Sequence, residues 1–471
     1  MPKPARNVVY IHSHDTGRYI APYGHALPTP SYQRFAEQGV LFRHAFCANP
    51  TCSPSRASLL TGQYAHTNGM LGLAHRGGKL NQPEHLLPHF LREQGFRTAI
   101  AGLQHITDDA SMGDLGYTDD LPQTDDFETK HAHERDERAA HRAARFLEDR
   151  DADAPPFFLD VGFFTTHRTG WPDDRQDPHG HPTDWHNGDA SPLGDPRYAP
   201  VPPCLPDTPE VRRDFADYTE AVRRLDDYVG RVLDAIDRTG RADDTLVILT
   251  TDHGIAFPRM KCRLTAHGAG VLLLMRGPSA THDDGFRGGR VINGLASHVD
   301  VFPTVCDSLG IDAPDWPQGT SLAPLIKQSD DTGAVREHVF TEVNYHAARE
   351  PMRGVRNHRF SYVRNLEPLG HTTRPNIDDS VTKTQLHNAG LFDREVPDEQ
   401  LFDLYADPQE ACNVVADPSY AEALAAMRVA LDAWMQETDD PALDGPVRVP
   451  GMTMNAADAY SPGKSPTTKE A

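Results

Sequence analysis

Residues 209–254 read PEVRRDFADYTEAVRRLDDYVGRVLDAIDRTGRADDTLVILTTDHG, and two periods meet in that stretch. Phe215, Tyr218, Val222, Leu225, Val229, Val232 and Ile236 recur at helical spacing, which predicts a helix over about residues 209–239 that ends at Gly240. Residues 245–251 then form an unbroken β-rich run, too apolar for a strand with one wet face. Asp252-His253-Gly254 follows at once. A long amphipathic helix feeding a strand buried on both faces is a unit of an α/β sheet.

Similar short runs occupy residues 7–11, 98–101, 157–163 and 271–275, separated by helical stretches. This alternation predicts a mainly parallel central sheet with helices on both faces. Residues 165–206 are loaded with Pro, Gly, Asp and His without periodicity and read as an irregular surface excursion. Beyond Glu350 the pattern changes to short alternating runs such as RFSYVRNL, then a helix around residues 420–438. The division expected is therefore a large α/β domain over 1–350, a smaller C-terminal α+β domain over 351–450, and a polar, disordered tail over 451–471. There is no internal repeat.

With 46 Lys plus Arg against 68 Asp plus Glu, the formal charge of -22 opposes general affinity for nucleic acid or anionic lipid. The apolar run 8–11 near the N-terminus is far too short for a signal-peptide core or a membrane span, so a cytoplasmic protein is expected. Cys47, Cys52, Cys204, Cys262, Cys306 and Cys412 contain no CxxC pair and signal neither a disulfide framework nor a zinc knuckle.

The segment with most chemistry is Cys52-Ser-Pro54-Ser-Arg56-Ala-Ser-Leu-Leu-Thr61-Gly62. Pro54 and the helix-forming run after it place Cys52 at a loop-to-helix junction, where free N–H groups and the helix dipole favour an anion. Arg56, about one turn on, suits a tetrahedral oxyanion. By residue chemistry alone, a structural cysteine at a helix start stays open.

The string CSPSRASLLTG resembles the signature of type I sulfatases, in which the Cys of a Cys-x-Pro-x-Arg core is oxidised to formylglycine by a separate enzyme. The resemblance extends in order through RNVVYIHSHD, LFRHAFC, TTDHG, GIAFP, SHVDVFPT and LFDLYADPQEACNV, and looks most like the heparan N-sulfatase (sulfamidase) branch. It implies an alkaline-phosphatase-like fold and hydrolysis of a sulfate ester or sulfamate, on an N-sulfoglucosamine-like sugar or another small organic sulfate. The hydrated formylglycine, a gem-diol, would attack sulfur with one hydroxyl and expel sulfate with the other. Two alternatives are a phosphonate or phosphodiester hydrolase of the wider superfamily and an inactive binding protein of the same fold.

The resemblance also assigns residues. Two strand ends, His14-Asp15 and Asp252-His253, would hold one divalent metal at the C-terminal edge of the sheet. Sulfatases commonly carry Asp-Asp at the first position, so Asp15, Asp252 and His253 match and His14 departs. An all-oxygen site suits the calcium that the family implies, whereas the imidazoles of His14 and His253 suit manganese, iron or zinc. Arg56 and Lys261 would bind the sulfo group, and His105 and His167, just past strand ends, would supply the proton for the leaving atom. Leu103 stands where the family has a lysine, which removes one cation from the cluster. The implied partners are a sulfated small molecule or saccharide and a formylglycine-generating enzyme, with oligomer formation left open. His66, His75, His267, His298 and His346 carry no local signal that singles one out.

Overall fold

The computed structural model describes residues 4–108, 112–121, 132–151, 153–170, 183–185, 194–281, 285–326 and 334–470. The strands of its large sheet begin with β1 (Asn7–Ser13), β2 (Val40–Phe46), β3 (Arg97–Gly102), β4 (Asp119–Asp120) and β5 (Phe157–Gly162). After a short separate ladder of β6 (Thr169–Gly170) with β7 (Thr183–Asp184), the large sheet resumes with β8 (Thr245–Thr251), β9 (Leu273–Arg276) and β10 (Arg290–Ser297). Their spatial order is β10-β2-β9-β8-β1-β5-β3-β4, and every pairing is parallel except the two made by β9.

Both faces of this sheet are covered, as its apolar strands require. Val9, Ile11, Val247 and Leu249 point into one core with Phe215 and Tyr218 of the helix Pro209–Arg238. Val8, Tyr10, Leu246 and Ile248 point into the other, with Leu59 and Phe302 from the helices Cys52–Thr61 and Val301–Leu309. The period of two along β1 and β8 assigns alternate residues to the two cores. The register Ser13↔Thr251 leaves both strands at one edge, so His14-Asp15 and Asp252-His253 emerge side by side.

The second sheet is antiparallel: β11 (Val339–Tyr345), β12 (Arg349–Arg356), β13 (Phe360–Asn365) and β14 (Glu399–Asp403). It starts before residue 350, since β11 lies ahead of the boundary drawn from sequence. Tyr362 and Leu401 pack under Met427, Leu431 and Trp434 of the helix Ala421–Glu437. Arg353, fully buried, is held by Asp440 through Nε at 2.6 Å and Nη2 at 3.0 Å.

The terminal segment departs from its expected disorder. β15 (Thr453–Asn455) pairs antiparallel with β16 (Thr467–Lys469), and Arg76 donates to Asn455 Oδ1 at 3.1 Å and to the Pro462 carbonyl at 3.2 Å. Glu470 is buried, accepting from Tyr345 Oη and from Arg448 Nη1. Met452 packs with Leu71, Tyr345 and Val447, but polar and backbone contacts hold the rest of this segment, so no apolar periodicity announces it. Much of the 165–206 excursion lies outside the described residues; within it, Trp185 is buried beneath Arg168 and donates to Asp214 Oδ1 at 2.9 Å. No helix among the described residues is long and apolar enough to cross a membrane.

Candidate active site

The helix Cys52–Thr61 is buried along its whole length, and Cys52 opens it. Its sulfur lies 3.4 Å from His253 Nε2. Burial pushes the Cys52 thiol far above its ordinary pKa despite the pull of Lys261 and Arg56. An unmodified Cys52 is therefore a protonated and poor nucleophile.

Beside it, Asp15 takes a left-handed backbone (φ 56), which Asp tolerates better than most residues. His14 Nδ1 lies 2.8 Å from Asp15 Oδ1 and 3.0 Å from Asp252 Oδ2, and His253 Nε2 lies 3.3 Å from Asp15 Oδ1. Asp252 Oδ1 accepts from the backbone N–H groups of Asp15 and His253 at 2.8 and 2.9 Å. Ligand-type atoms of His14, Asp15, Cys52, Asp252 and His253 all fall within 4.8 Å of one another.

Burial works to raise both carboxyl pKa values, but the surrounding charge outweighs it and holds both below the carboxylate range. Lys261, with His167 and His253, acts on Asp15, and His14, His253 and Arg56 act on Asp252, the imidazoles contributing only once protonated in the acid range where these carboxyls titrate. Burial keeps His14 neutral, and its Nε2 has no hydrogen-bond partner among the described residues. Two ionised carboxylates facing two imidazoles in a buried pocket fit a divalent cation with mixed oxygen and nitrogen donors.

Two cations flank this cluster. Lys261 Nζ lies 3.0 Å from Asp15 Oδ2, whereas Arg259 donates to the Cys204 carbonyl and Arg263 pairs with both oxygens of Glu350. Arg56 Nη2 donates to Asp252 Oδ2 at 2.9 Å and to the Ser13 carbonyl at 3.2 Å. The two histidines past strand ends meet at the same place: the rings of His105 and His167 lie 5.6 and 4.4 Å from that of His14. His167 Nε2 reaches within 4.0 Å of Asp15 Oδ2. Burial lowers both, His105 to about 3, so both are neutral in the free protein. Leu103 sits half-buried, its backbone tied to the Gly162 carbonyl at 2.9 Å. All nine assigned residues thus surround one centre.

Residues 6–311 match the family described as Sulfatase. The chain belongs to the sulfatase family. It is 30% identical to human N-sulphoglucosamine sulphohydrolase over 93% of this sulfatase and 91% of the human protein. Its fold resembles that of a solved protein in complex with its substrate D-glucosamine-2-N,6-O-disulfate, with a TM-score of 0.68 at 18% identity, covering 94% of this chain and 99% of that one. It also resembles phosphonate monoester hydrolase of Agrobacterium radiobacter, with a TM-score of 0.67 at 21% identity over 94% and 97%. The alkaline-phosphatase-like fold expected from the motifs is the fold observed.

Several side chains at this sulfatase centre were not singled out by sequence. His12 Nδ1 accepts from Arg56 Nη1, and His12 Nε2 meets Asp160 Oδ1 at 2.9 Å. Tyr117 Oη donates to Asp160 Oδ2, completing a buried chain behind the signature arginine. His75 Nδ1 lies 3.4 Å from His105 Nε2, and Asp378 Oδ2 lies 3.3 Å from Lys261 Nζ. Nothing local marks Asp160 within FFLDVG or Asp378 within NIDDS, because their partners are distant in sequence.

Proposed function

We propose that this sulfatase hydrolyses a sulfate ester or sulfamate borne by a small saccharide, with Cys52 matured to formylglycine as the source of the nucleophilic oxygen. The observation that carries the reading is the buried start of the helix Cys52–Thr61 set against His14, Asp15, Asp252 and His253. As a thiol in this environment Cys52 is inert, which accords with a need for oxidation. Asp15, Asp252, His14 and His253 would hold a divalent cation, which when bound would supply positive charge beside the nucleophile. The two imidazoles favour manganese, iron or zinc over calcium there.

The protein's own groups do the rest. Lys261 and Arg56 offset the charge of the sulfo group while remaining anchored to Asp15 and Asp252, so neither must reorganise during reaction. His105 and His167 flank the side where the leaving atom departs. An arriving sulfo group brings negative charge that favours their protonated forms, and either then donates the proton to the leaving oxygen or nitrogen. The identity to the human sulphohydrolase supports an N-sulfated sugar among the substrates.

The test uses full-length protein co-expressed with a formylglycine-generating enzyme. Turnover of p-nitrophenyl sulfate and D-glucosamine N-sulfate should exceed turnover of bis(p-nitrophenyl) phosphate and of a phosphonate monoester. Preference for either phosphorus substrate would overturn the assignment in favour of a phosphohydrolase of the same fold.

A further inference from the structure

Two side chains outside the family-matched residues 6–311 reach the catalytic centre. Asp378 places Oδ2 3.3 Å from Lys261 Nζ, an ion-pair contact without hydrogen-bond geometry, and that buried oxygen has no hydrogen-bond partner among the described residues. His346, also buried, lies within electrostatic reach of Lys261, Asp378 and His253, and its Nδ1 is likewise without a partner.

The segments that carry them are braced. Lys383 Nζ donates to the Ile377 carbonyl at 2.7 Å and to Asp379 Oδ1 at 3.0 Å, on either side of Asp378. Asn376 accepts from the backbone N–H of Ala348 at 2.8 Å and donates to Glu350 Oε2 at 2.9 Å, which ties the Asp378 loop to the turn bearing His346. Thr382 Oγ1, one turn further on, donates to Asp214 on the long helix of the large domain. A buried acceptor held this firmly without a donor is costly unless a ligand supplies one.

The chemistry of that ligand follows from charge. A carboxylate repels a sulfo group, so Asp378 does not read the sulfo end. Its own charge is already offset by Lys261, so a permanent cation is not what it lacks. The missing partner is a neutral donor, a hydroxyl or N–H, close to the scissile bond. We propose that Asp378, with His346 beside it, is the specificity determinant of this sulfatase, accepting a hydrogen bond from a ring hydroxyl or N–H of a sugar sulfate. This rests on the reading of the Cys52 centre as a sulfohydrolase.

The experiment compares kcat/KM for D-glucosamine N-sulfate and D-glucosamine 6-sulfate with that for p-nitrophenyl sulfate, which carries no neutral donor. Mature full-length wild type, Asp378→Asn and Asp378→Ala are measured. The sugar-to-aryl ratio should fall about 10–100-fold in Asp378→Ala, mostly through KM, and by a smaller factor in the isosteric Asp378→Asn. Equal losses on sugar and aryl substrates would mean that Asp378 merely holds Lys261, and would overturn the inference. So would a wild type that turns over the aryl sulfate and neither sugar, an outcome that leaves the sulfohydrolase reading intact. Inactivity of wild type on all three sulfates would take down both.

Discussion

The chain Arg56–His12–Asp160–Tyr117 can be broken with one atom. Asp160→Asn keeps the shape and replaces a carboxylate oxygen with an amide NH2. His12 is neutral, since burial lowers its pKa below 6.5, so one ring nitrogen carries a proton. Arg56 Nη1 donates to Nδ1, which puts that proton on Nε2, facing Asp160 Oδ1. In the variant, one orientation turns the new NH2 toward His12 Nε2, forcing the proton to Nδ1 and against the Arg56 guanidinium. The other turns it toward the Tyr117 hydroxyl, which loses its acceptor. Either way one buried donor is left unpaired, at about 1–3 kcal/mol. An unfolding entropy of about 2.1 cal/mol/K per residue makes 1 kcal/mol worth about 1 °C in a chain of this length. Calorimetry should therefore show Tm lower by about 1–3 °C. Because Arg56 also holds Asp252, kcat/KM for p-nitrophenyl sulfate should drop about 10–100-fold, as is usual when a supporting partner of a metal site is lost. Tyr117→Phe, which leaves the His12 tautomer alone, should cost stability with a smaller loss of activity. If Asp160→Asn keeps both kcat/KM and Tm at wild-type values, the chain does not position Arg56.

Three further outcomes are expected. Peptide mass spectrometry of protein matured with the modifying enzyme should show formylglycine at Cys52 alone, and Cys52→Ala should abolish turnover without altering the circular dichroism spectrum; full activity with a wholly unmodified Cys52 would refute the mechanism. Asp15→Asn and Asp252→Asn should each weaken metal binding about ten-fold or more, read as metal per chain by elemental analysis after dialysis; unchanged content in both would place the metal elsewhere. Burial lowers His298 from 6.5 to about 3, so on acidification the unfolded chain takes up this proton before the folded one. The contribution of neutral His298 is thus complete above about pH 6.5 and declines as pH falls toward about 3. Tm measured from pH 7 to pH 4 should fall less steeply in His298→Gln than in wild type, and parallel slopes would contradict this.

The fold was most legible where one residue type repeats. The helix Pro209–Arg238 and the strand Thr245–Thr251 appear within a residue of their expected bounds, because each buries a continuous apolar stripe that must show in the sequence. β2 and β10 were not read as strands from their patterns. In β2, Arg43 and His44 interrupt the apolar run, and β10 carries Asn293-Gly294 at the irregularity in its pairing with β2. β10 is an edge strand, which tolerates such residues, and in β2, which lies inside it, Arg43 is exposed and His44 half-buried. The terminal segment was misread for a related reason: Glu470 is buried through Tyr345 and Arg448, and a polar stretch with distant polar partners looks the same as a disordered one.

The active centre divides in the same way. The sequence alone pointed to Cys52, Arg56, His14-Asp15, Asp252-His253, His105 and His167 as candidates, because each lies in a motif or just past the end of an apolar run, and the structure brings them to one place. Only the tertiary structure decided which of Arg259, Lys261 and Arg263 faces Asp15, that His12 and Asp160 meet behind Arg56, and that Asp378 closes on Lys261. Those assignments depend on sheet register and on the docking of the second sheet. A buried charge is tolerated only opposite its partner, and when that partner lies a hundred or more residues away, no local pattern carries the pairing.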